Sequence, residues 1–272
     1  MGGPLADREW RLISEESRPA AMQMALDEVA AGTAAAGGPR TARVYRWPAP
    51  GALSLGYGQA PDTVDWAFCE RAGVEVTRRP TGGGGIYHDH AGDVSYALAV
   101  PAADLPDGPR ASYRLLCEPL LAALDALGID AGYAETGRPA VHPPACYLRA
   151  LDPAHDVVGP DGRKVSGNAQ RRTREAVVQH GSLTHDARPE RHLAAFAADL
   201  DPSDFRERVA GVTAYADATR AETVGALESA LADWTGADPG GRGWTDAELD
   251  RARALVRERF GDEAWVRRGP RG

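Results

Sequence analysis

Lysine is almost missing from this 272-residue chain: it occurs once, at Lys164, beside 30 arginines. An ammonium is a compact, mobile point charge, whereas a guanidinium is a planar fork, so a solitary lysine among arginines asks for a reason. Cysteine is scarce too. Cys69, Cys117 and Cys146 are odd in number and widely spaced, with no CxxC pair. That excludes a disulfide framework or a zinc knuckle and fits a reducing cytoplasm. No window approaches the roughly 18 consecutive apolar residues of a membrane span. The start, MGGPLADREWRLISEES, lacks the basic end and apolar run of a signal peptide. A basic excess is also absent: 39 acidic against 31 basic residues give a formal charge of −8. Non-specific nucleic-acid binding, which needs a basic face, is therefore not expected. The expectation is a cytoplasmic protein with neither membrane nor nucleic acid among its partners.

What is present is an ordinary globular composition, 43% hydrophobic and 26% charged, long enough for one large domain or a main domain with an appendage. Residues 18 to 31 carry apolar side chains at helical spacing. TARVYRW (41–47), Ala52 to Leu55, VEVTRRP and DVSYALAV read as strands, and VDWAFCERAG as a short helix closed by Gly73. Residues 110 to 128 form the clearest amphipathic helix despite Pro119. HDVVGPDGRKVSG has the pattern of a hairpin: Val157-Val158, a Gly-Pro-Asp-Gly turn, then a second arm through Lys164 and Val165. AVVQHGSLTHD is another strand. From Pro189 onward HLAAFAADL, ETVGALESALADW and TDAELDRARALVRERFG read as helices, the last with a Thr245–Glu248 capping box. The RRGPRG tail is expected to fray. The fold class is α+β: a mixed, mainly antiparallel sheet flanked by helices, with a helical C-terminal region.

Four segments carry candidate chemistry. RRPTGGGGIYHDH, Arg78 to His90, places four glycines between two strand-like stretches. Consecutive glycines cost backbone entropy, and bare N–H groups beside Arg78, Arg79 and Thr81 suit an anion such as phosphate or carboxylate. A flexible surface loop is the plainer reading. The pattern is neither GxxxxGK[ST] nor GxGxxG before a helix, so a P-loop or dinucleotide fingerprint is rejected. His88 and Asp89 point to opposite faces of a strand and suit local hydrogen bonding better than a shared metal. His180 reads equally as a site residue or a satisfied strand histidine, and His90, His142, His155, His185 and His192 as structural or exposed. Lys164, in GRKVSGNAQRR, suits an ammonium that neutralises charge developing on reacting oxygens. Cys69 and Cys117 read as small buried hydrophobes. Cys146 follows Pro143-Pro144 and is either another buried thiol or a nucleophile stabilised by nearby cations.

Together MALDEV, RVYRWPAPGALSLGYGQ, RRPTGGGGIYHD, GRKVSGNAQRR and QHGSL, over about residues 10 to 190, resemble the lipoate–protein ligase family within the biotin/lipoyl ligase and octanoyltransferase superfamily. The resemblance implies a catalytic domain over residues 8–190 and a helical C-terminal region of the same domain over 191–268. It implies an enzyme that activates lipoate or octanoate with ATP and Mg2+ as an acyl-adenylate, then transfers the acyl group to a lysine of an acceptor domain. The expected partners are lipoyl acceptor domains of 2-oxoacid dehydrogenases or the glycine cleavage H protein, with a separate accessory subunit as a further candidate. By the same resemblance Lys164 contacts the acyl carbonyl and phosphate, and the acyl and adenylate pocket comprises three runs. The first is Arg78, Arg79, Thr81, Gly82, Gly83, Gly84, Gly85, Tyr87 and His88. The second is Ser166, Gly167, Asn168, Ala169 and Gln170, and the third is His180, Gly181 and Ser182. No metal-ligating residues are assigned. ACY at 145–147 also resembles the ACF of cysteine-dependent octanoyltransferases, in which the cysteine carries the acyl group as a thioester. Against that stand LRALDPAHD, where those enzymes have a serine-containing segment, and Gly84, where they tend to carry arginine. The ligase is the first expectation and the octanoyltransferase the alternative. A non-catalytic lipoate carrier is the third.

Overall fold

The computed structural model describes residues 2–270. In chain order its elements are β1 (Trp10–Ser17), α1 (Ala20–Ala35), β2 (Arg40–Arg46), β3 (Gly51–Leu55), α2 (Trp66–Arg71), β4 (Glu75–Arg78), β5 (Ile86–Asp89), β6 (Asp93–Pro101) and α3 (Pro109–Ala126). Then follow β7 (Gly132–Tyr133), β8 (Val157–Val158), β9 (Lys164–Arg172), β10 (Ala176–Thr184), α4 (Pro189–Ala194), α5 (Pro202–Arg206), α6 (Arg220–Thr235), α7 (Asp246–Leu255) and α8 (Glu263–Arg268). Seven strands form one sheet in the order β1-β2-β6-β10-β9-β8-β7, and β4-β3-β5 form a second. Only β1–β2 and β3–β4 are parallel pairs. The expected α+β class, a mixed and mainly antiparallel sheet with a helical C-terminal region, is what folds.

Alternation along the central strands separates two cores, as the two-residue side-chain period of a strand requires. Val94, Tyr96, Leu98 and Val100 of β6 meet Leu116 and Leu120 of α3 and Leu227 and Leu231 of α6 on one face. On the other, Ala97 and Tyr45 meet Met24 and Leu26 of α1, with Leu255 and Phe260 behind them. α7 packs on α1 with half-buried Glu248 at the join: it lies 2.6 Å from Arg11 of β1 and accepts from Thr33 of α1. A third core, with Leu53, Phe196 and Phe205, lies under the small sheet. No helix among the described residues is long and apolar enough to cross a membrane.

The hairpin at 157–165 forms as its turn chemistry dictates: Val158 faces Lys164, and Gly162 takes φ +79°. The capping box on Thr245 and Glu248 forms too. Three local expectations change, and one strand was not anticipated. WRLISEES, which carries no clean alternation, is recruited as edge strand β1 because β2 offers it a parallel partner. The helix expected over HLAAFAADL is only α4, ending at Ala194, because Phe196 turns into the third core. The last long helix breaks at Leu255 into a wider π turn over Val256–Phe260. Arg267 and Arg268 of the expected frayed tail close α8, and Gly269 donates to Trp265 O at 2.9 Å. The final two residues of that tail lie outside the described residues.

Candidate active site

A cavity of about 550 Å³ opens on the α1 side of the large sheet, between it and the small sheet. Its inner wall is aromatic and apolar, from Met24, Tyr45, Trp47 and Ile86, all buried. Its polar wall holds Arg79, Cys146, Asp156 and Lys164.

The glycine run divides its work. Gly82 and Gly83 face the cavity, and Gly83 takes the left-handed φ of +98°. Gly84 and Gly85 instead meet the segment that carries the thiol. Gly85 N–H donates to Pro144 O and Cys146 N–H to Gly85 O, both at 2.7 Å. A Cβ on Gly84 would sit 2.6 Å from Pro144 O, so only glycine permits the approach. Part of the run expected to cradle an anion therefore acts as a clamp that positions Cys146.

Lys164 and Cys146 converge on Gly167. A Cβ there would lie 3.1 Å from Lys164 Nζ and 3.8 Å from Cys146 Sγ. Lys164 Nζ is 2.6 Å from Asp156 Oδ1, and the other Asp156 oxygen accepts from Asp152 N–H at 2.8 Å. Burial alone would depress the Lys164 ammonium, but Asp156, with Cys146 as a lesser contributor, holds it above the ordinary lysine value. The side chain is thus a cation at neutral pH.

Arg79 is buried, yet all its partners are neutral. It donates to Thr81 Oγ1, to Ser54 O and to the carbonyls of Gly82 and Gly84 at 2.7 to 3.1 Å. It makes no ion pair with a carboxylate among the described residues. Burial lowers its pKa, partly opposed by Cys146. A buried cation held only by dipoles favours an anion in the cavity beside it. Thr81 links Arg79 to His180, whose Nε2 is 2.8 Å from Thr81 Oγ1 and whose Nδ1 is 3.1 Å from Asp27. His88 stacks on Trp47 at 4.1 Å between ring centroids. It is held by Asp93 through Nδ1 and by Ser54 through Nε2. Burial pushes the His88 imidazole below its usual value despite Asp93, so it is a neutral wall residue.

Of the residues singled out in the sequence, Arg79, Gly82, Gly83, His88, Cys146, Lys164, Gly167, Asn168, Ala169, Gln170, His180, Gly181 and Ser182 line this one cavity. Gly181 is forced: a Cβ would collide with Asn168 Oδ1 at 2.2 Å. Six others do not line it. Arg78 is turned away, its guanidinium spent on the carbonyls of Gly56, Tyr57, Gln59, Trp265 and Val266. Tyr87 packs edge-on against His192 in the third core. Ser166 is buried within the sheet, its hydroxyl without a hydrogen-bond partner among the described residues. Thr81 instead accepts from Arg79, and Gly84 and Gly85 abut the Pro144–Cys146 segment. His155, read from sequence as structural or exposed, does line the cavity, beside Tyr113. Asp156, Trp47 and Arg149 were not singled out. A signal for Asp156 existed: it adjoins the hairpin arm that faces the only lysine.

Residues 19–232 match the family model of the lipoyl protein ligase A/B catalytic domain. The chain belongs to that family. Among curated members of the lipoyl protein ligase A/B family, the octanoyltransferase LipM of Kyrpidia tusciae is 36% identical over 208 residues, covering 74% of each chain. LipM of Symbiobacterium thermophilum is 35% identical over 189 residues, 66% of each. Among solved structures, a bi-partite lipoate protein ligase studied with its E2 lipoyl domain, from Thermoplasma acidophilum, superposes with a TM-score of 0.79. It is 25% identical, over 97% of this chain and 98% of that one. A lipoate-protein ligase A bound with ATP reaches 0.78 at 24% identity, covering 95% of this chain and 98% of that one, a likeness of fold. This family member is an enzyme of the lipoate ligase and octanoyltransferase group.

Proposed function

We propose that the chain is a cysteine-dependent octanoyltransferase, the alternative that its ACY segment raised, rather than the ATP-dependent ligase expected first. The observation that carries this reading is the convergence of Cys146 Sγ and Lys164 Nζ beside Gly167, at the polar wall of a cavity with an aromatic and apolar inner wall. Relatives named octanoyltransferase over about two thirds or more of the chain support it.

In the first step the Cys146 thiolate attacks the carbonyl of an octanoyl thioester on a carrier protein. The new S–C bond forms, the carrier thiolate leaves, and it takes up a proton. In the second step the unprotonated ε-amine of an acceptor lysine attacks the acyl-cysteine. An amide forms, the nitrogen gives up a proton, and Cys146 leaves as thiolate. Lys164, kept cationic by Asp156, stabilises the thiolate and the oxyanion of each tetrahedral intermediate. The octanoyl chain lies against Met24, Tyr45, Trp47 and Ile86, where its burial favours binding by about 0.8 kcal/mol per methylene. On this reading ATP and Mg2+ are not consumed. The acceptors are lipoyl domains of 2-oxoacid dehydrogenases or the glycine cleavage H protein. Residues 8–190 and 191–268 serve as one catalytic unit, since α6 packs on α3 and β1, and α7 on α1.

The test supplies octanoyl-acyl carrier protein and an apo acceptor domain without ATP. Acceptor octanoylation and an octanoyl adduct on Cys146, both lost in Cys146→Ser, are the expected results. Transfer that requires ATP and releases pyrophosphate, or full activity in Cys146→Ser, overturns the reading. Retention of lipoate with no transfer to any acceptor would identify the carrier instead.

A further inference from the structure

Beside the cavity, along the same wall, three arginines converge. Arg138, Arg149 and Arg208 line a small depression together with Cys146, Asp156 and Lys164; those three and Arg149 line the cavity as well. Backbone contacts join Arg208 to Lys164 and Arg138 to the segment that follows Cys146. Lys164 N–H donates to Arg208 O at 2.7 Å, Leu151 N–H to Arg138 O at 2.9 Å, and Arg149 follows Cys146 by three residues.

Their side chains meet only carbonyls: Arg138 to Glu207 O, Arg149 to Pro143 O, and Arg208 to Pro139 O and Arg149 O. None makes an ion pair among the described residues, although the chain carries eight more acidic than basic residues. Arg138 and Arg149 are exposed and Arg208 is half-buried. Burial, then the neighbouring Arg138, lowers the pKa of Arg208, partly opposed by Asp204 and Glu207. Such a cluster gains free energy when carboxylates arrive, and it supplies a local attraction on a chain of net negative charge.

We propose that Arg138, Arg149 and Arg208 dock carboxylates that adjoin the target lysine of the acceptor domain. This rests on the octanoyltransferase reading and names which of its two protein substrates the cluster serves. The choice follows from reach. An acyl donor presents its thioester on a long flexible arm, so its protein surface stays remote from Cys146. A lysine reaches Cys146 through a four-carbon stem, so the backbone and flanking side chains of the acceptor must come to the rim of the depression.

The experiment follows the two half-reactions of the full chain separately, in wild type, Arg138→Glu and Arg208→Gln. Acylation of Cys146 by octanoyl-acyl carrier protein, read by intact mass, is expected within about twofold of wild type. Transfer from acyl-Cys146 to an apo acceptor domain bearing a carboxylate beside its lysine is expected to fall in kcat/KM on the order of tenfold, with a shallower salt dependence. Replacing that carboxylate by lysine should restore transfer in Arg138→Glu and impair it in wild type. Arg138 makes a single long side-chain bond, so its variant tests the idea even where Arg208→Gln loosens the Pro139 segment. Unchanged transfer overturns the proposal. An equal fall in both half-reactions also overturns it, assigning the cluster to the donor carrier. Absence of any acyl-Cys146 in wild type would sink the functional reading alone. Fluorescence-detected binding of the apo acceptor to wild type and Arg138→Glu would then still decide the docking.

Discussion

Lys164 Nζ lies 2.6 Å from Asp156 Oδ1, and both side chains are buried in the wall from which Cys146 faces the cavity. The pair decides the charge of the site. Asp156 raises the Lys164 pKa against the opposing effect of burial, so Asp156→Asn should let burial prevail and lower it. Transfer should then fail at lower pH than in wild type as the ammonium is lost. The rate on the plateau should drop on the order of a hundredfold, because the amine is no longer held in place. A raised folded-state pKa stabilises below the unfolded lysine value and ceases to as pH rises through the folded one, so wild type alone should lose this stabilisation at alkaline pH. A pH–rate profile unchanged by Asp156→Asn would refute the assignment.

Lys164→Arg keeps the charge but not the shape. The ammonium sits 2.6 Å from Asp156 Oδ1, a single-point pairing that a planar fork on a differently shaped stem does not reproduce. Acyl transfer should fall by about 10²- to 10³-fold, with melting temperature within a few degrees of wild type. Recovery of near-normal rates would mean that any cation suffices.

Two glycines of the same run, Gly82 and Gly84, should respond differently to alanine. A Cβ on Gly84 would strike Pro144 O at 2.6 Å, whereas one on Gly82 meets nothing within 4 Å. Gly84→Ala should displace the Cys146 segment, costing about 1–3 kcal/mol and most of the acylation rate. Gly82→Ala should stay within about 0.5 kcal/mol of wild type. Denaturant titration and the yield of acyl-Cys146 measure both.

Arg78→Ala should act on stability rather than chemistry. It removes the guanidinium that joins the Gly56–Gln59 loop to Trp265 and Val266 of α8, leaving buried carbonyls without their donor. A loss of about 3 kcal/mol is expected, with earlier proteolysis near the C-terminus. Equal melting temperatures would contradict this role.

Glu248 should mark the acid limb of stability. Burial alone would raise its pKa, but hydrogen bonds from Arg11 and Thr33 outweigh that and hold it at about 2. Its contribution is complete above the unfolded glutamate value, about 4.3, and lost as pH falls through about 2. Glu248→Gln should therefore be less stable at neutral pH, and the gap should close as pH falls from about 4 towards 2, as followed by thermal melts.

Features written in local chemistry were legible without a structure. The 157–165 hairpin follows from Gly-Pro-Asp-Gly, and the α7 cap from Thr245 with Glu248. The α3 helix follows from its apolar period, and the single lysine and the glycine run flagged the site wall. These depend on dihedral preferences and short-range periodicity, which a sequence carries directly. The same local rules could not say where side chains point once strands pair. Arg78 and Arg79 are neighbours of the same type, yet strand alternation and the docking of α8 send one to a carbonyl cage and the other into the cavity. Nor could they say that Gly84 and Gly85 would meet Pro143–Cys146, or that His180 would bridge Thr81 and Asp27. Those contacts join segments far apart in the chain or on opposite arms of a fold, and they exist only because burial of the three cores brings the segments together. The sequence by itself determined the elements and the chemical groups available; packing alone decided which of those groups share one cavity.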